Sequence, residues 1–293
     1  MELNLILKKK GIKIMSIEHF TGTVWSESLL KSLNEKYVGV ANCFRDFEGE
    51  IKEKGSVVRM CGITGVNVST YKPNTDMNDP QTLTSFSRDI AIDQAKYFNF
   101  QIDDVDRAQA VPKVMDLALQ TAAESLAKTA EKYVYSLWSK ADSKNVISDT
   151  DVSSYDILGR FLNIRQKLME AGVSDPNDIV IEVSPAIAKM ILEAKMTSAS
   201  ENTPYLDSGA IGSIFGCKVF VSNNVHVEQI DNTAYHYCFI RTKRAIAFAE
   251  QISNVVAYSP EKRFCDAVKG LHLYGANVIY PQEFYVFKVP VYN

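Results

Sequence analysis

Hydrophobic residues recur at three- and four-residue steps over one long part of the chain, residues 111–140. They include Met115, Leu119 and Leu126, and this spacing places them on one face of an α-helix. A helix of about 30 residues is about 45 Å long, which approaches the diameter of a compact protein of this chain length. The pattern therefore predicts a helix that runs across the whole molecule.

A β-hairpin is predicted before this helix. Residues 57–63 and 66–71 are rich in β-branched residues, and strand character resumes over residues 88–102. Between them, residues 72–87 are polar and turn-forming. A structureless stretch of this length is uncommon inside a compact domain and is usually functional. We therefore expect a long hairpin that projects from the protein and ends in an exposed tip.

Helices and strands alternate in the second half of the chain. Residues 154–171 predict a helix that ends at Gly172, residues 179–183 a strand, and residues 184–195 a helix with Ser184 as its N-cap. Further strands are predicted at residues 217–222, 235–240, 246–248, 255–258, 271–273, 278–280 and 284–289. An antiparallel sheet stacked on the long helix is the natural way for the last of these strands to bury their apolar faces.

The N-terminal part of the chain predicts an arm. Residues 16–37 contain one short amphipathic helix and too little apolar surface for a domain. We expect translation to start at Met15, because codons for residues 9–12 can resemble a bacterial ribosome-binding site, and the intact mass tests this expectation. The alternative is a basic arm that suits a polyanionic partner, with Lys8, Lys9, Lys10 and Lys13.

Composition excludes several protein classes. The chain has 293 residues, 46% of them hydrophobic, and its 32 basic and 35 acidic residues give a net charge of −3. These values are typical of a globular protein with one large or two modest domains, and they argue against a Lys- and Arg-rich surface for DNA binding. No apolar run reaches the roughly 18–20 residues of a membrane-spanning helix. The five cysteines are scattered without a CxxC pair, which predicts buried free thiols rather than a zinc site or a disulfide framework.

Candidate catalytic and metal-binding residues are few. Asp103, Asp104 and Asp106 form the densest acidic cluster, and they have two interpretations. They are metal ligands or an acid–base pair, or, as we favour, carboxylates that cap the start of the long helix. The histidines are scattered, and the glycines of residues 209–216 lack the spacing of a phosphate-binding loop. We therefore assign no catalytic residue, no cofactor and no metal.

The sharpest basic cluster contains Arg241, Lys243 and Arg244. It has three interpretations: a contact on an inner surface, a subunit interface, or a solvated turn. It is too small for a nucleic-acid footprint. A projecting hairpin, a detached arm and a long helix, without an active site, are together typical of a protein that assembles with copies of itself.

Several short motifs occur in the order found in a known family. They are VWSESLL at residues 24–30, FEGEI at 47–51, GSVV at 55–58, IDQAKYF at 92–98, IDDVDRAQ at 102–109, GSIFG at 212–216 and SNN at 222–224. The sequence resembles the major capsid proteins of tailed bacteriophages and prophages, which have the Hong Kong 97-like fold. The resemblance covers nearly everything from Val24 onward.

The resemblance implies an α+β fold with a defined domain division. The expected parts are an N-terminal arm at residues 15–54, an extended β-hairpin loop at 55–97, a peripheral domain with the long spine helix at 98–150, an axial α/β domain at 151–246, and strands that close the peripheral domain at 247–293. Residues 1–14 are either untranslated or a basic arm.

The implied function is structural rather than enzymatic. Copies of the chain would assemble through pentamers and hexamers into an icosahedral shell that encloses double-stranded DNA without sequence-specific binding. Assembly would take place in the bacterial host cytoplasm, with a separate scaffolding protein and a portal and without a membrane, and the product would be the virion capsid. We assign the assembly contacts to Trp25 in the arm, to Lys72, Pro73, Asn74, Asp76 and Asp79 in the hairpin tip, and to Arg241, Lys243 and Arg244.

Two alternatives stay open. An encapsulin-type nanocompartment would share the fold and enclose an enzyme rather than a genome, and a neighbouring cargo gene would favour it over terminase and portal genes. A soluble α/β enzyme would need an active site that we cannot assemble from these residues.

Overall fold

The computed structural model describes residues 29–46, 55–63, 68–71, 73, 76, 79–82, 85–103, 114–149, 156–198, 212–231, 233–258, 260–261 and 265–292. Its strands and helices are β1 (Val57–Ile63), β2 (Ser85–Ala91), β3 (Gln94–Asp103), α1 (Val114–Ser136), β4 (Val146–Ser148), α2 (Ile157–Glu170), β5 (Ile179–Val183), α3 (Pro185–Ser198), β6 (Ser213–Ile214), β7 (Cys217–Val221), β8 (Val227–Ile230), β9 (Thr233–Thr242), β10 (Ile246–Tyr258), β11 (Cys265–Val278) and β12 (Phe284–Val291). Residues 29–36 are also helical, and we call them the arm helix.

The long helix packs on a three-stranded antiparallel sheet. The strand order is β10–β11–β3, and a bulge interrupts β10 between Ser253 and Val256. Tyr133 of α1 meets Tyr274 of β11 edge to face, with ring centroids 5.5 Å apart. Apolar residues of α1, such as Leu126, share one buried core with this sheet. The predicted stacking of the long helix on an antiparallel sheet is confirmed.

The long helix itself is also confirmed, with a different last turn. α1 ends at Ser136, and Leu137–Lys140 continue it as a 3-10 turn. Ala123, Ala127, Ala130 and Val134 are all at most 2% exposed, and they recur at the three- and four-residue steps that an amphipathic helix requires. The 23 residues of α1 give a length of about 35 Å. Residues 111–113 lie outside the described residues.

A second, seven-stranded sheet carries the other two helices. Its order is β4–β12–β9–β5–β7–β6, and β8 pairs with β9. α2 and α3 share a core with this sheet, in which Phe161 of α2 meets Phe287 of β12 with ring centroids 5.8 Å apart. All five residues of β5 are buried, as expected of a strand with both faces covered.

The helix, strand and helix predicted for residues 154–195 are confirmed. α2 is followed by Gly172, whose φ of +103° lies in the left-handed region that glycine adopts without strain. β5 has the predicted bounds. The Ser184 hydroxyl accepts a hydrogen bond from the main-chain N–H of Ile187 at 3.5 Å, which is the contact of an N-cap.

Several strands differ from the prediction. The strand predicted at residues 66–71 is absent from its described part, residues 68–71, which has no regular structure. β2 begins at Ser85, three residues before the strand predicted from residue 88. The two strands predicted at residues 246–248 and 255–258 are one continuous strand, β10. A bulge accommodates the residues that interrupt the apolar pattern between them.

The last strand lies in a different sheet from the one predicted. β10 and β11 belong to the three-stranded sheet on the long helix, but β12 lies between β4 and β9 in the seven-stranded sheet. Six of its eight residues are buried, so the strand requires cover on both faces. The prediction that residues 247–293 all close the peripheral sheet is therefore wrong for β12.

Within the described parts of the chain, no helix combines the length and hydropathy that crossing a bilayer would require.

Candidate functional site

The hairpin formed by β1 and β2 rests with its base on the three-stranded sheet. The two strands are antiparallel and pair over their whole length. Val58 and Ile90 on one face are buried together with Ile92 against Ala249 and Leu273 of the sheet. The hairpin is therefore held at its base, and its strands run from there toward the predicted tip.

A close backbone contact fixes the position of this base. A β-carbon added at Gly275 of β11 would overlap the carbonyl oxygen of Ala91 at the end of β2. Because glycine has no β-carbon, it allows the two backbones to approach this closely. The position of the hairpin on the sheet therefore depends on Gly275.

The predicted contacts of the hairpin tip are partly described. Pro73, Asp76 and Asp79 are exposed, as a contact to another subunit requires. The predicted contact residues outside the described part of the chain are Trp25, Lys72 and Asn74.

Arg241 is a buried residue and not a surface contact. Its side chain is 0% exposed, and it pairs with Glu182 of β5 through Nη2 and Oε1 at 2.9 Å and through Nε and Oε2 at 3.3 Å. It also donates to the main-chain oxygens of Asn42 at 2.7 Å and Gly39 at 3.0 Å. The prediction that Arg241 contacts another subunit is wrong, because β9 extends to Thr242 and places this side chain inside the protein.

Lys243 and Arg244 occupy the 3-10 turn that follows β9, and both are exposed. Arg244 forms a two-point ion pair with Glu283, with Nε at 2.7 Å and Nη2 at 2.5 Å from the carboxylate oxygens. Its side chain is still 57% exposed. Both residues are therefore accessible, which is compatible with a subunit interface and with a solvated turn.

The segment after the arm helix contacts the long helix. We call residues 37–46 the strap. The main-chain N–H groups of Val38 and Val40 both donate to Oε1 of Glu131, at 2.9 Å each. Glu131 lies on α1 and is 1% exposed, so a buried carboxylate of the long helix holds the backbone of the strap.

The strap also bonds to both sheets. Asn42 Nδ2 donates to Glu182 Oε1 in the seven-stranded sheet at 3.1 Å. The N–H of Phe44 donates to the carbonyl of Ile246 at 2.9 Å, and the N–H of Phe248 donates to the carbonyl of Phe44 at 3.0 Å. This pairing adds the strap to the edge of β10 in the three-stranded sheet.

Glu250 of β10 binds both ends of the strap. Its carboxylate accepts a hydrogen bond from the Tyr37 hydroxyl at 2.5 Å and pairs with Arg45 at 2.6 Å. Nε2 of the buried His272 lies 2.8 Å from the same carboxylate. Three side chains therefore converge on one buried carboxylate.

Burial governs the ionisation of these groups. It raises the pKa of Glu182 to about 7, although Arg241 acts in the opposite direction. It raises the pKa of the Cys43 thiol to about 12, so this thiol of the strap stays neutral. Burial and the Glu250 carboxylate raise the pKa of Tyr37 well above its ordinary range, so Tyr37 acts as a hydrogen-bond donor.

The anchoring carboxylates were not predicted from the sequence. One signal was present, because Glu182 interrupts the apolar run Ile179–Val183 and a charged residue in a buried strand requires a partner. The partners Arg241 and Asn42 are remote in the chain. The sequence pattern therefore indicates that a partner exists without identifying it.

The described residues supply little for catalysis. They contain no group of three side chains that could hold a metal ion. Asp103 is the last residue of β3, while Asp104 and Asp106 lie outside the described residues. The cysteines whose side chains are described are buried free thiols, as predicted: Cys43, Cys217, Cys238 and Cys265.

Comparison with known proteins gives matches in structure. No protein-family model and no curated protein sequence matches the chain. A structure from Mycobacterium phage Che8 is 25% identical and matches with a TM-score of 0.65 over 85% of this chain and 90% of that chain. The capsid structure of the cyanophage P-SCSP1u is 12% identical and matches with a TM-score of 0.63 over 84% of this chain and 86% of that chain.

A further match extends over more of both chains but has a lower TM-score. The virus-like particle from Pyrococcus furiosus is 13% identical, with a TM-score of 0.55 over 91% of this chain and 99% of that chain. The higher TM-scores belong to the phage structures. These matches confirm the resemblance to tailed-phage major capsid proteins, and the chain has their fold.

Proposed function

We infer that this chain is the major capsid protein of a tailed phage or prophage, and that its copies build the shell. The observation that carries this inference is the fold shared with the capsid structure of the cyanophage P-SCSP1u, together with the match to a structure from Mycobacterium phage Che8 at 25% identity over most of both chains. The proposed role is structural, which the capsid structures among the matches support.

The details of assembly and the partners are inferred from the sequence resemblance. We propose that copies form pentamers and hexamers and close an icosahedral shell around double-stranded DNA, with a scaffolding protein and a portal as partners. The net charge of −3 supports this role, because a wall without excess positive charge does not hold phosphates tightly. Assembly in the host cytoplasm before incorporation into the virion belongs to the same proposal.

The hairpin tip and the arm are the proposed contacts to neighbouring copies. The tip residues Pro73, Asp76 and Asp79 are exposed, which supports a contact of the tip to another copy. We keep Trp25, Lys72, Asn74, Lys243 and Arg244 in this proposal. We also keep the domain division, except for β4 and β12, which join the sheet of the axial segment.

Size-exclusion chromatography and negative-stain microscopy test the proposed function. The protein is expressed alone and together with its neighbouring genes. Closed shells or ring-shaped capsomers are the expected result. A globular monomer under every condition would overturn the proposal.

Removing the hairpin tip is expected to abolish shells without unfolding the subunit. A deletion of residues 74–82 leaves the paired residues of β1 and β2 intact, so the thermal melting of the subunit should be unchanged. The deletion removes the segment that would reach a neighbouring copy, so negative-stain images should show no closed particles. Uniform shells from the deleted protein would contradict the role of the tip.

A nanocompartment that encloses a protein cargo is the second candidate. The match to the virus-like particle from Pyrococcus furiosus, over 99% of that chain, favours it. The contents of purified particles distinguish the two functions. Nuclease-protected double-stranded DNA supports the phage capsid, and a stoichiometric enzyme cargo supports the compartment.

A further inference from the structure

The strap connects parts of the protein that are far apart in the sequence. Its main chain bonds to Glu131 on the long helix and to Arg241 in the seven-stranded sheet. Its first side chain, Tyr37, bonds to Glu250 in the three-stranded sheet. One short segment therefore holds three separate elements at once.

The buried charges bind the backbone of the strap and not only its side chains. Arg241 donates to the carbonyl groups of Gly39 and Asn42, and Glu131 accepts from the N–H groups of Val38 and Val40. A shift of the strap by one residue would leave these charged groups facing unsuitable partners. Buried polar groups are known to fix register in this way, often without adding stability.

Packing supports the same register. Tyr135 of α1 lies against Gly39, and a β-carbon at Gly39 would be 2.7 Å from the phenolic oxygen. Tyr135 is itself 1% exposed, so its ring has little room to yield. The residue opposite this ring therefore has to be the glycine.

The strap directly follows the arm helix. Leu29 and Leu33 of that helix are buried in the same core as α1. A change in the register of the strap would move the arm helix along α1. The register therefore determines the position at which the chain enters the arm helix, at Leu29.

We propose that the strap positions the N-terminal arm for assembly, with Glu131, Glu182 and Arg241 as positioning residues that set the register of residues 37–46. The arm helix is then held at one place in each subunit, and this place sets where a contact to a neighbouring copy of the chain begins. This inference rests on the proposed function, because its target is another copy.

Glu131→Leu and Glu131→Gln form a matched pair of variants. Glutamine keeps an oxygen that can accept from the N–H groups of Val38 and Val40, whereas leucine keeps the approximate volume and removes the acceptor. Hydrogen exchange of unassembled subunits is followed in the strap and in β9. In Glu131→Leu, exchange of the strap should rise roughly 100-fold while β9 stays protected, and Glu131→Gln should retain most of the protection.

The double variant Glu182→Leu with Arg241→Met removes both charges together. It leaves neither member of the Glu182–Arg241 pair buried without the other, so it is expected to fold. Its strap should still exchange faster than that of the unmodified protein, because the carbonyl groups of Gly39 and Asn42 lose their donor. Negative-stain microscopy should show a loss of uniform shells for this variant and for Glu131→Leu.

Each outcome decides the proposal. Continued protection of the strap in both variants, or an equal loss of protection in β9, would overturn the proposal. Glu131, Glu182 and Arg241 would then have no specific effect on the register of the strap. Uniform shells formed by subunits with an exchanging strap would also overturn it, while leaving the proposed function intact. Absence of shells from the unmodified protein would instead count against the proposed function.

Discussion

Replacing Arg241 by alanine is expected to lower the free energy of unfolding by about 3–5 kcal/mol. The substitution leaves the Glu182 carboxylate, which is 0% exposed, without its cation. It also leaves the carbonyl groups of Gly39 and Asn42 without their donor. Urea denaturation of the unassembled subunit, followed by circular dichroism, measures the change.

Arg59 provides the matched control. It also pairs with a carboxylate, that of Asp89 at 3.1 Å, but the two side chains are 67% and 46% exposed. Exposed pairs contribute at most about 1 kcal/mol, so Arg59→Ala should lower the free energy of unfolding by no more than this. Equal losses of unfolding free energy in the two variants would show that burial does not increase the contribution of the Arg241–Glu182 pair to stability.

Replacing Gly275 by alanine is expected to displace the hairpin and abolish shell formation. The new β-carbon would overlap the carbonyl oxygen of Ala91, and two backbones cannot yield as a flexible side chain would. The core should survive with a loss of about 1–3 kcal/mol, as is usual for an overpacked site. Faster hydrogen exchange in β2, together with the absence of shells in negative-stain images, is the expected result.

A second glycine gives the control for this substitution. Gly159 lies within α2, and a β-carbon there would have no atom within 4 Å. Alanine favours a helix over glycine by about 1 kcal/mol, so Gly159→Ala should be at least as stable as the unmodified protein and should form normal shells. Normal shells from Gly275→Ala as well would mean that the close contact at Ala91 does not determine assembly.

Elements with strong local patterns could be predicted from the sequence. α1 shows a regular apolar face, and β5 is a short apolar run bounded by turn and capping residues. α2 ends before a glycine with positive φ. In each case the information lies within a few residues of the element, where periodicity and capping act.

The misassignment of Arg241 shows why the buried site could not be predicted. In the sequence it stands beside Lys243 and Arg244 and shares their charge. In the structure β9 ends between them, so Arg241 points inward while the other two lie in an exposed turn. Its partner Glu182 is 59 residues away, and no local pattern specifies such a pairing.

The position of β12 is a second non-local feature. Its apolar residues predict a buried strand, which is confirmed, but they fit either sheet equally well. The choice depends on parallel pairing with β4 and antiparallel pairing with β9. These pairings join distant parts of the chain, and the sequence of β12 alone does not contain them.

The strap also constrains the order in which the chain folds. Val40 and Glu131 are 91 residues apart, Asn42 and Glu182 are 140 apart, and Tyr37 and Glu250 are 213 apart. Closing such long loops costs chain entropy that is offset only when the distant elements are already in place. We therefore expect the strap, although it is synthesised early, to dock late, after β9 and β10 have formed. If copies of the chain assemble as proposed, a docked strap would mark a subunit whose core is complete, and incompletely folded chains would lack this mark.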